Sequence, residues 1–369
     1  MHVIDSLDVG GAERMLVEIA NHTTRDDFRV SVCVTRSGTT LANELNPEIP
    51  IYVLNRKSRF DLQGFKKLAK VVREQKVDVF HVHGRSSFAF IAFASSMRLI
   101  SSPIIFHDHF GAIEVDDSIP TWFRLWGKRK VGHYVGVYQR LALWAQRAGV
   151  PSHKISVIEN ALNLSRICNA NPYDLRRELN IPKEILIGVF VGRLRREKGL
   201  EVLIEALSQS KHRSKVKILV VGAIRDDAYF QTCKEKLMQR GLGETMIFWG
   251  SRTDVPRILK SVDFAVIPSI SESGPLVLIE YMAAGLPFVA TKVGAISLRA
   301  EELGAPGFAQ PNNPKALAEA IDELVGLSLT ERVSRGNIGK KIALEHFNIH
   351  RKMSQWYEVY IRVLGREMS

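Results

Sequence analysis

Cysteine is scarce in this chain. Only Cys33, Cys168 and Cys233 occur in 369 residues, scattered and odd in number. There is no CxxC pair and no Cys/His spacing of the zinc type, so the thiols read as reduced side chains of a cytoplasmic protein. Long apolar runs are missing as well. The longest, FAFIAFASSM from Phe88 to Met97, stops at Arg98, well short of the roughly 20 residues that a membrane helix needs. The opening MHVIDSLDVGGAER carries acids early and has no basic segment ahead of an apolar core, so it does not read as a secretory leader. Met1 leaves almost no chain ahead of a first strand at His2-Val3-Ile4. Low-complexity tracts are absent, and 46% hydrophobic with 24% charged residues is the balance of a globular protein. The net charge of +12 is spread over both halves, with a denser basic stretch from Arg56 to Lys76. That stretch reads either as a solvated helix face or as an anionic-surface contact. No helix-turn-helix, zinc or aromatic RNA-binding signature accompanies it, so nucleic acid is not an expected partner.

What is present is an alternation of short apolar runs and amphipathic helices. Val30–Val34, Ile51–Leu54, Val77–Val82 and Ile104–Phe106 read as strands. Ala12, Met15, Leu16, Ile19 and Ala20 fall on one helical face. The pattern restarts with Ile185–Val191, a glycine-containing loop Gly192–Gly199, and a helix marked by Leu200, Leu203, Ile204 and Leu207. Continuous apolar strands between helices imply parallel sheets covered on both faces. The expected class is α/β, with two Rossmann-like halves. Periodicity lapses near Asn160–Pro172, which sets the halves at 1–165 and 166–347. A final helix over 348–369 carries Met353, Trp356, Tyr357, Tyr360, Ile361 and Leu364 on one stripe and is expected to bury it on the N-terminal half.

Four stretches carry chemistry. In SISESGPLVLIEYMAAGLP, Ser273 or Gly274 can cap a helix, Pro275 suits its first position, and Gly285 with Pro287 ends it. Glu272 then lies just before a helix N-terminus and Glu280 within the helix. The loop follows the strand Phe264–Ile267, at the carboxyl edge where open α/β sheets bind ligands. Amides over Ser273, Gly274, Pro275 and Leu276 suit an anion, and two carboxylates suit hydroxyls, which together describe a sugar nucleotide. Equally, Glu272 can merely complement the helix dipole, with Glu280 half exposed. In VGRLRREKGL, Arg193 and Lys198 follow a strand and can grip a diphosphate, or form a surface basic loop. The segment is neither a Walker A loop nor GxGxxG. In DVGGAER, Gly10 and Gly11 precede a helix and allow close approach to a phosphate. Last, HVHGR (His81–Arg85) and HDHFG (His107–Gly111) end two strands, with His107 expected at the rim of an interdomain cleft. Nothing in their spacing specifies a metal geometry.

Together these stretches resemble the retaining glycosyltransferases of family 4, of the group 1 type. The likeness rests on GGAER, HVHG, FHDHFG, VIENALN, VGRLRREKGL, LVVG and the Glu-x7-Glu segment followed by AAGLPFVAT. The resemblance implies a GT-B fold, two Rossmann-like domains facing each other across a cleft. The N-terminal domain would take the acceptor and the C-terminal one the nucleotide sugar. It implies that Glu280 takes the ribose hydroxyls, that Glu272 sits by the transferred sugar, and that the Ser273–Leu276 amides hold the donor. Arg193 and Lys198 would neutralise the leaving diphosphate, Gly11 would approach the phosphates, and His107 would stand beside the sugar. It implies no cofactor and no metal, and a same-face substitution in which the departing phosphate takes the acceptor's proton. A UDP-sugar is the expected donor. The chain departs from the family pattern at Gly274-Pro275, at Asn160-Ala161-Leu162-Asn163 and at Val293–Leu298.

The acceptor, a glycan or lipid-linked glycan of surface polysaccharide or glycolipid synthesis, is expected near His83, Arg85 and His109. The segment IPTWFRLWGKRK (Ile119–Lys130) mixes aromatics with cations. It reads either as a core helix with a solvated basic end or as a contact for an anionic membrane on the cytoplasmic face. A sugar-nucleotide 2-epimerase of the same fold and a silent nucleotide-sugar-binding subunit are the competing readings.

Overall fold

A computed structural model describes residues 1–23 and 28–365. The chain divides into two units, Met1–Leu162 with Ile349–Ser369, and Asn163–Asn348. Unit 1 holds a parallel sheet of seven strands. These are β1 (His2–Ile4), β2 (Val32–Val34), β3 (Ile51–Val53), β4 (Phe80–His83), β5 (Ile104–Asp108), β6 (His133–Gly136) and β7 (Ile155–Val157), in the order β3-β2-β1-β4-β5-β6-β7. Unit 2 holds six more, also parallel: β8 (Leu186–Val191), β9 (Val216–Val221), β10 (Met246–Gly250), β11 (Phe264–Ile267), β12 (Phe288–Thr291) and β13 (Phe308–Ala309). Their order is β10-β9-β8-β11-β12-β13. Both are Rossmann-like sheets. The central strands are buried because helices cover both faces, and all five residues of β5 and all four of β11 are buried.

In each sheet the chain leaves the first strand in one direction and later returns to its other side. The reversal falls between β1 and β4 in unit 1 and between β8 and β11 in unit 2. A crevice opens at the carboxyl ends of the strands at such a point, because the flanking connections run to opposite faces. The loops after β1, β4, β8 and β11 are those that the sequence singled out.

The helix Ile349–Leu364 belongs to unit 1. It buries Ile349, Met353, Trp356, Val359 and Tyr360. The stripe is rotated from the expected one, since Ile361 and Leu364 are only half-buried and Val359 takes their place. The basic stretch is also not uniform. Arg56 is buried, 2.6 Å from Asp5, and donates to Thr35 Oγ1 at 2.8 Å and Ser86 Oγ at 3.0 Å. Burial alone would raise the Asp5 pKa, but hydrogen bonds from Ser86, Arg56 and Thr35 and the guanidinium charge hold it below the ordinary value. Among the described residues no helix is long and apolar enough to cross a membrane.

Gly199 joins the β8 loop to the helix Leu200–Gln209 with φ +69°, and a Cβ there would lie 2.0 Å from the Pro268 carbonyl oxygen. Gly199→Ala is expected to cost at least about 2 kcal/mol, from left-handed strain plus a backbone clash. Urea unfolding checks it; stability equal to the parent would mean that the two loops are not in fixed contact.

Candidate functional site

The unit 2 site is assembled by the loops flanking the β8/β11 crevice. Past Val191 the chain runs through Gly192 and half-buried Arg193 into the short turn Arg196–Lys198. The β11 loop is held against this turn by its backbone, since Ile270 N–H donates to the Glu197 carbonyl at 2.8 Å. Lys198 Nζ then reaches Glu272 Oε1 at 2.5 Å, and Ser269 Oγ donates to the same oxygen at 2.9 Å. Glu272 is only 8% exposed. A carboxylate so sheltered needs a cation and a hydrogen-bond donor to remain charged, and it has both. It is therefore a fixed acceptor and not just a dipole partner.

The following helix spans Leu276–Ala284, so Pro275 is its N-cap residue and not the first helical position. Its extended ψ of 101° is the reason, for the helix can start only at the next residue. Buried Leu278, Ile279, Tyr281, Met282 and Ala283 surround it with core, while Glu280 lies half-buried between them. Two contacts fix its position. Tyr281 Oη accepts from Val191 N–H at 2.8 Å, tying the helix to the end of β8. On the far side, Gly336 of the helix Leu329–His346 sits so close that a Cβ would be 2.0 Å from the Gly285 carbonyl oxygen. The helix directs its first N–H groups back toward the loop that carries Glu272, which favours an anion there.

In unit 1 the loop after β1 leads through Gly10 into the helix Gly11–His22, with Gly11 as its first residue. After β4, Arg85 opens the helix Arg85–Ser96. Its side chain is already engaged: Nε donates to Asp108 Oδ2 at 3.1 Å, and the guanidinium lies 3.9 Å over the Phe110 ring and 4.2 Å over Trp144.

The histidines form a stack. His2 pairs with His81, and His83 with His107, across neighbouring strands, so their side chains share one sheet face. His2 Nδ1 lies 3.1 Å from His83 Nε2, and His83 Nδ1 lies 3.2 Å from His109 Nε2. A second chain links Tyr360 Oη to His81 Nδ1 at 2.9 Å and His81 Nε2 to His107 Nδ1 at 3.1 Å. His107 is wholly buried, with half-buried His109 at 3.8 Å between ring centroids, so the expected rim position is corrected to an interior one. It is sealed there because Trp356 of the last helix packs on both His81 and His107 at 4.7 Å. Burial, and then the neighbouring imidazoles, hold His81, His83 and His107 well below the ordinary histidine range. Burial also takes His2 and His109 down to about 3. Triads of these nitrogens lie within 4.8 Å of one another. However, the His81 and His83 rings are within 15° of parallel, and those of His83 and His109 within 11°. The stacked His81 and His83 rings run their in-plane lone pairs side by side, whereas His83 Nδ1 and His109 Nε2 face each other at 3.2 Å and are already hydrogen-bonded.

Comparison with known proteins identifies the chain. Residues 9–166 match Glycosyltransferase Family 4, and residues 173–341 match Glycosyl transferases group 1. It belongs to the group 1, family 4 glycosyltransferases. The transferase is 23% identical over 316 residues to an N-acetyl-alpha-D-glucosaminyl L-malate synthase of Bacillus anthracis, covering 83% of this chain and 80% of that one. It is 23% identical over 300 residues to the UDP-Gal:alpha-D-GlcNAc-diphosphoundecaprenol alpha-1,3-galactosyltransferase of Escherichia coli, covering 77% of each. An uncharacterised glycosyltransferase of Methanocaldococcus jannaschii is 27% identical over 228 residues, which span 57% of its length. HepE of Anabaena, solved with UDP-glucose, superposes with a TM-score of 0.81 at 23% identity over 97% of this chain and 98% of that one. WaaG, a glycosyltransferase involved in lipopolysaccharide biosynthesis, superposes with a TM-score of 0.74 at 15% identity over 97% and 98%. Likenesses at this identity establish the fold, which is GT-B.

Within unit 2 of the transferase, Lys198 is brought onto Glu272, and Ser273, Gly274, Pro275 and Leu276 lead from Glu272 into the helix that carries Glu280, while Arg193 lies in the β8 loop. Within unit 1, His83, Arg85, His107 and His109 gather at the ends of β4 and β5. Sequence reasoning missed Ser269, whose hydroxyl points back at Glu272, and Thr291, whose Oγ1 donates to the Ser269 carbonyl at 2.6 Å. It also passed over His2 and Tyr360 as partners of the histidine stack, since helix and strand periodicity report only that these positions face inward.

The neutral stack has a pH consequence. Unfolded, each imidazole takes up a proton below about pH 6.5. Folded, His2 and His109 stay neutral to about 3. The unfolded chain binds more protons between those limits. Stability is therefore fully present above pH 6.5 and falls with decreasing pH, by about 1.4 kcal/mol per unit for each such imidazole. The thermal midpoint is expected to stay level from pH 7.5 to about 6.5, then to drop steadily to pH 5, and to drop less in His2→Gln. A flat profile would contradict a buried neutral stack.

Proposed function

We propose that the protein is a retaining, metal-independent hexosyltransferase. In this reading it moves a sugar from a UDP-sugar to a glycan or lipid-linked acceptor in surface polysaccharide or glycolipid synthesis. The observation that carries the reading is the buried Glu272, held by Lys198 and Ser269 at the β8/β11 crevice and one helix away from Glu280. UDP is supported by HepE, solved with UDP-glucose, and by the galactosyltransferase relative that uses UDP-Gal.

In this reading Glu280 accepts from the ribose hydroxyls. The amides at Ser273, Gly274 and Leu276, with the helix they open, face the donor's phosphates, and Pro275 fixes where that helix begins. Breaking the glycosyl–phosphate bond leaves an oxocarbenium-like sugar and a diphosphate of increased charge. Arg193 and Lys198 stabilise the diphosphate with fixed positive charge, which supplies what a metal would otherwise supply. Glu272 accepts a sugar hydroxyl and stabilises the positive charge developing on the ring. The acceptor attacks the face that the diphosphate is leaving, and a phosphate oxygen takes the acceptor's proton. No protein nucleophile is needed. In unit 1, half-buried His109 stands on the acceptor side with His83 hydrogen-bonded to it, and the sealed His107 packs against the His109 ring.

The two glutamates then separate cleanly. Glu280→Gln is expected to weaken UDP binding about tenfold, the worth of one hydrogen bond to a charged acceptor. Glu272→Gln is expected to leave UDP affinity within about twofold and to lower kcat by about 100-fold or more. Calorimetry with UDP and a transfer assay, both in EDTA, check this. Wild-type behaviour of both variants would remove the site assignment, and activity only on adding a divalent ion would remove the metal-free mechanism.

The proposal includes a peripheral contact with an anionic membrane on the cytoplasmic face. Phe93, Ser96, Trp126, Arg129 and Lys130 line an open cavity of about 510 Å³. Phe60, 60% exposed, packs on Phe93 at 4.8 Å and extends the aromatic surface beside the cations. Aromatic rings at headgroup level beside basic side chains suit such an interface. Reversing the charge of Lys128, Arg129 and Lys130 is expected to lower co-sedimentation with phosphatidylglycerol vesicles at least about tenfold. Absence of binding by the wild type would retire the idea.

A further inference from the structure

We propose that the turn 57–62 is a wedge that inserts Phe60 and Leu62 into the surface of an anionic membrane, and that the outer face of the helix Leu62–Gln75 is a second basic arm of that contact. The inference rests on the peripheral membrane contact read above, and it names the side chains that enter the bilayer. It also assigns the basic stretch from Arg56 to Lys76, which residue order alone leaves between a solvated face and an anionic-surface contact.

The turn is pinned on both sides and from below. Asp61 caps the helix, with Oδ1 accepting from Gln63 N–H at 2.9 Å and from Gly64 N–H at 3.2 Å. Its other oxygen accepts from Lys57 N–H at 2.8 Å and closes the turn. From beneath, buried Arg56 donates from Nη1 to the Ser58 carbonyl at 3.3 Å. The backbone is thus held in one shape while Phe60 stays 60% exposed and Leu62 70% exposed. A lone exposed apolar side chain is ordinary. Here the Phe60 ring meets Phe93 at 4.8 Å, and Phe93 meets Trp126 at 6.3 Å, so aromatic surface runs on across three segments of unit 1. A continuous apolar patch with a polar rim marks an interaction surface.

The charge around the patch says what covers it. Leu62, Lys66, Lys70 and Arg73 follow at i, i+4, i+8 and i+11, which is one face of the helix, and all four are exposed. That face cannot turn inward, because the opposite one is already spent: Phe65 and Leu68 are buried, with Phe65 stacked on Phe90 at 4.6 Å. Lys57 and Arg59 lie exposed beside Phe60 in the turn, and Arg129 and Lys130 stand beside Trp126 at the other end of the patch. Acids offset little of this. Both oxygens of Asp61 are taken by backbone N–H groups, and Glu74 lies 3.8 Å from Lys70 in a pair exposed on both sides. Apolar side chains between two groups of cations match anionic headgroups over acyl chains. The rings enter the interface, and the long basic side chains reach lipid phosphates on either side of them.

The test uses the full chain with phosphatidylglycerol vesicles. A nitroxide is attached through Phe60→Cys in a Cys168→Ser background, the other two cysteines being buried. Vesicles are expected to raise the label's collisions with oxygen and to lower those with a nickel chelate, as entry among acyl chains requires. The same label attached through Leu329→Cys, on a 69% exposed position of unit 2, is expected to keep its values in water. In co-sedimentation, Phe60→Ser and Leu62→Ser are each expected to lower the partition coefficient about fivefold or more with the thermal midpoint unchanged. Leu62→Ser decides the matter if the loss of the Phe60–Phe93 contact unfolds the other variant. Reversing Lys66 and Arg73 to glutamate is expected to lower partitioning about tenfold or more at low ionic strength. A label at residue 60 that stays open to nickel on bound protein, or wild-type partitioning in both serine variants, would overturn the wedge and leave the membrane reading in place. Equal entry of the label at residue 329 would mean unspecific adhesion and would also overturn it. A wild type that does not bind vesicles removes both readings. A wild-type dimer in vesicle-free solution that Phe60→Ser dissolves would give the patch to a second copy of the chain and overturn the proposal.

Discussion

The pairing of Lys198 with Glu272 is the constraint around which unit 2 is arranged. Glu272 is buried, and a buried carboxylate persists only with a cation beside it. The cation arrives from a different loop, and it arrives only because Gly199 turns the chain through a left-handed conformation against the Pro268 carbonyl. The β8 and β11 loops are thereby locked together across the crevice where the sheet reverses direction. Ser269 and Thr291 extend the lock to the end of β12, and Tyr281 joins the Glu280 helix to the end of β8. The charged groups are therefore in place before any ligand contributes, which is what electrostatic stabilisation of a leaving group requires.

Unit 1 meets a related problem with neutral groups. Burying imidazoles is tolerable when they stay uncharged and hydrogen-bond to one another, and the stack does both. Its roof is the last helix, which crosses 279 residues of sequence to put Tyr360 against His81. The buried Asp5–Arg56 pair beside the first strand follows the other rule, charge matched with charge. The two units share one sheet architecture and both match buried charge with charge, and unit 1 adds a chain of neutral imidazoles.

Much of this was legible in the order of residues. Apolar runs alternating with amphipathic helices report parallel sheets, because only a strand covered on both faces can be apolar on both. Turns rich in glycine and charge mark the loops at the carboxyl edges. Glu272, Glu280, Arg193 and Lys198 stood out because charge in a segment built for burial needs a reason. Other positions depart from the local pattern for physical causes. Pro275 caps the helix instead of opening it, since its ψ is extended. Arg56, counted among surface cations, is an interior ion-pair partner because Asp5 lies beside it. His107 lies inside because Trp356 closes over it.

The sequence by itself determined the fold class, the positions of the loops and the residue types at the site. Those depend on local pattern, on what each side chain can bury and on where glycine permits a turn. The tertiary structure alone decided the pairings: Lys198 with Glu272, Ser269 with the same oxygen, Gly336 against Gly285, and Tyr360 with His81. Each joins groups that are distant along the chain or bent back within a loop. Periodicity says which way a side chain faces, but a hydrogen bond or ion pair depends on separations of a few tenths of an ångström, and only packing fixes those.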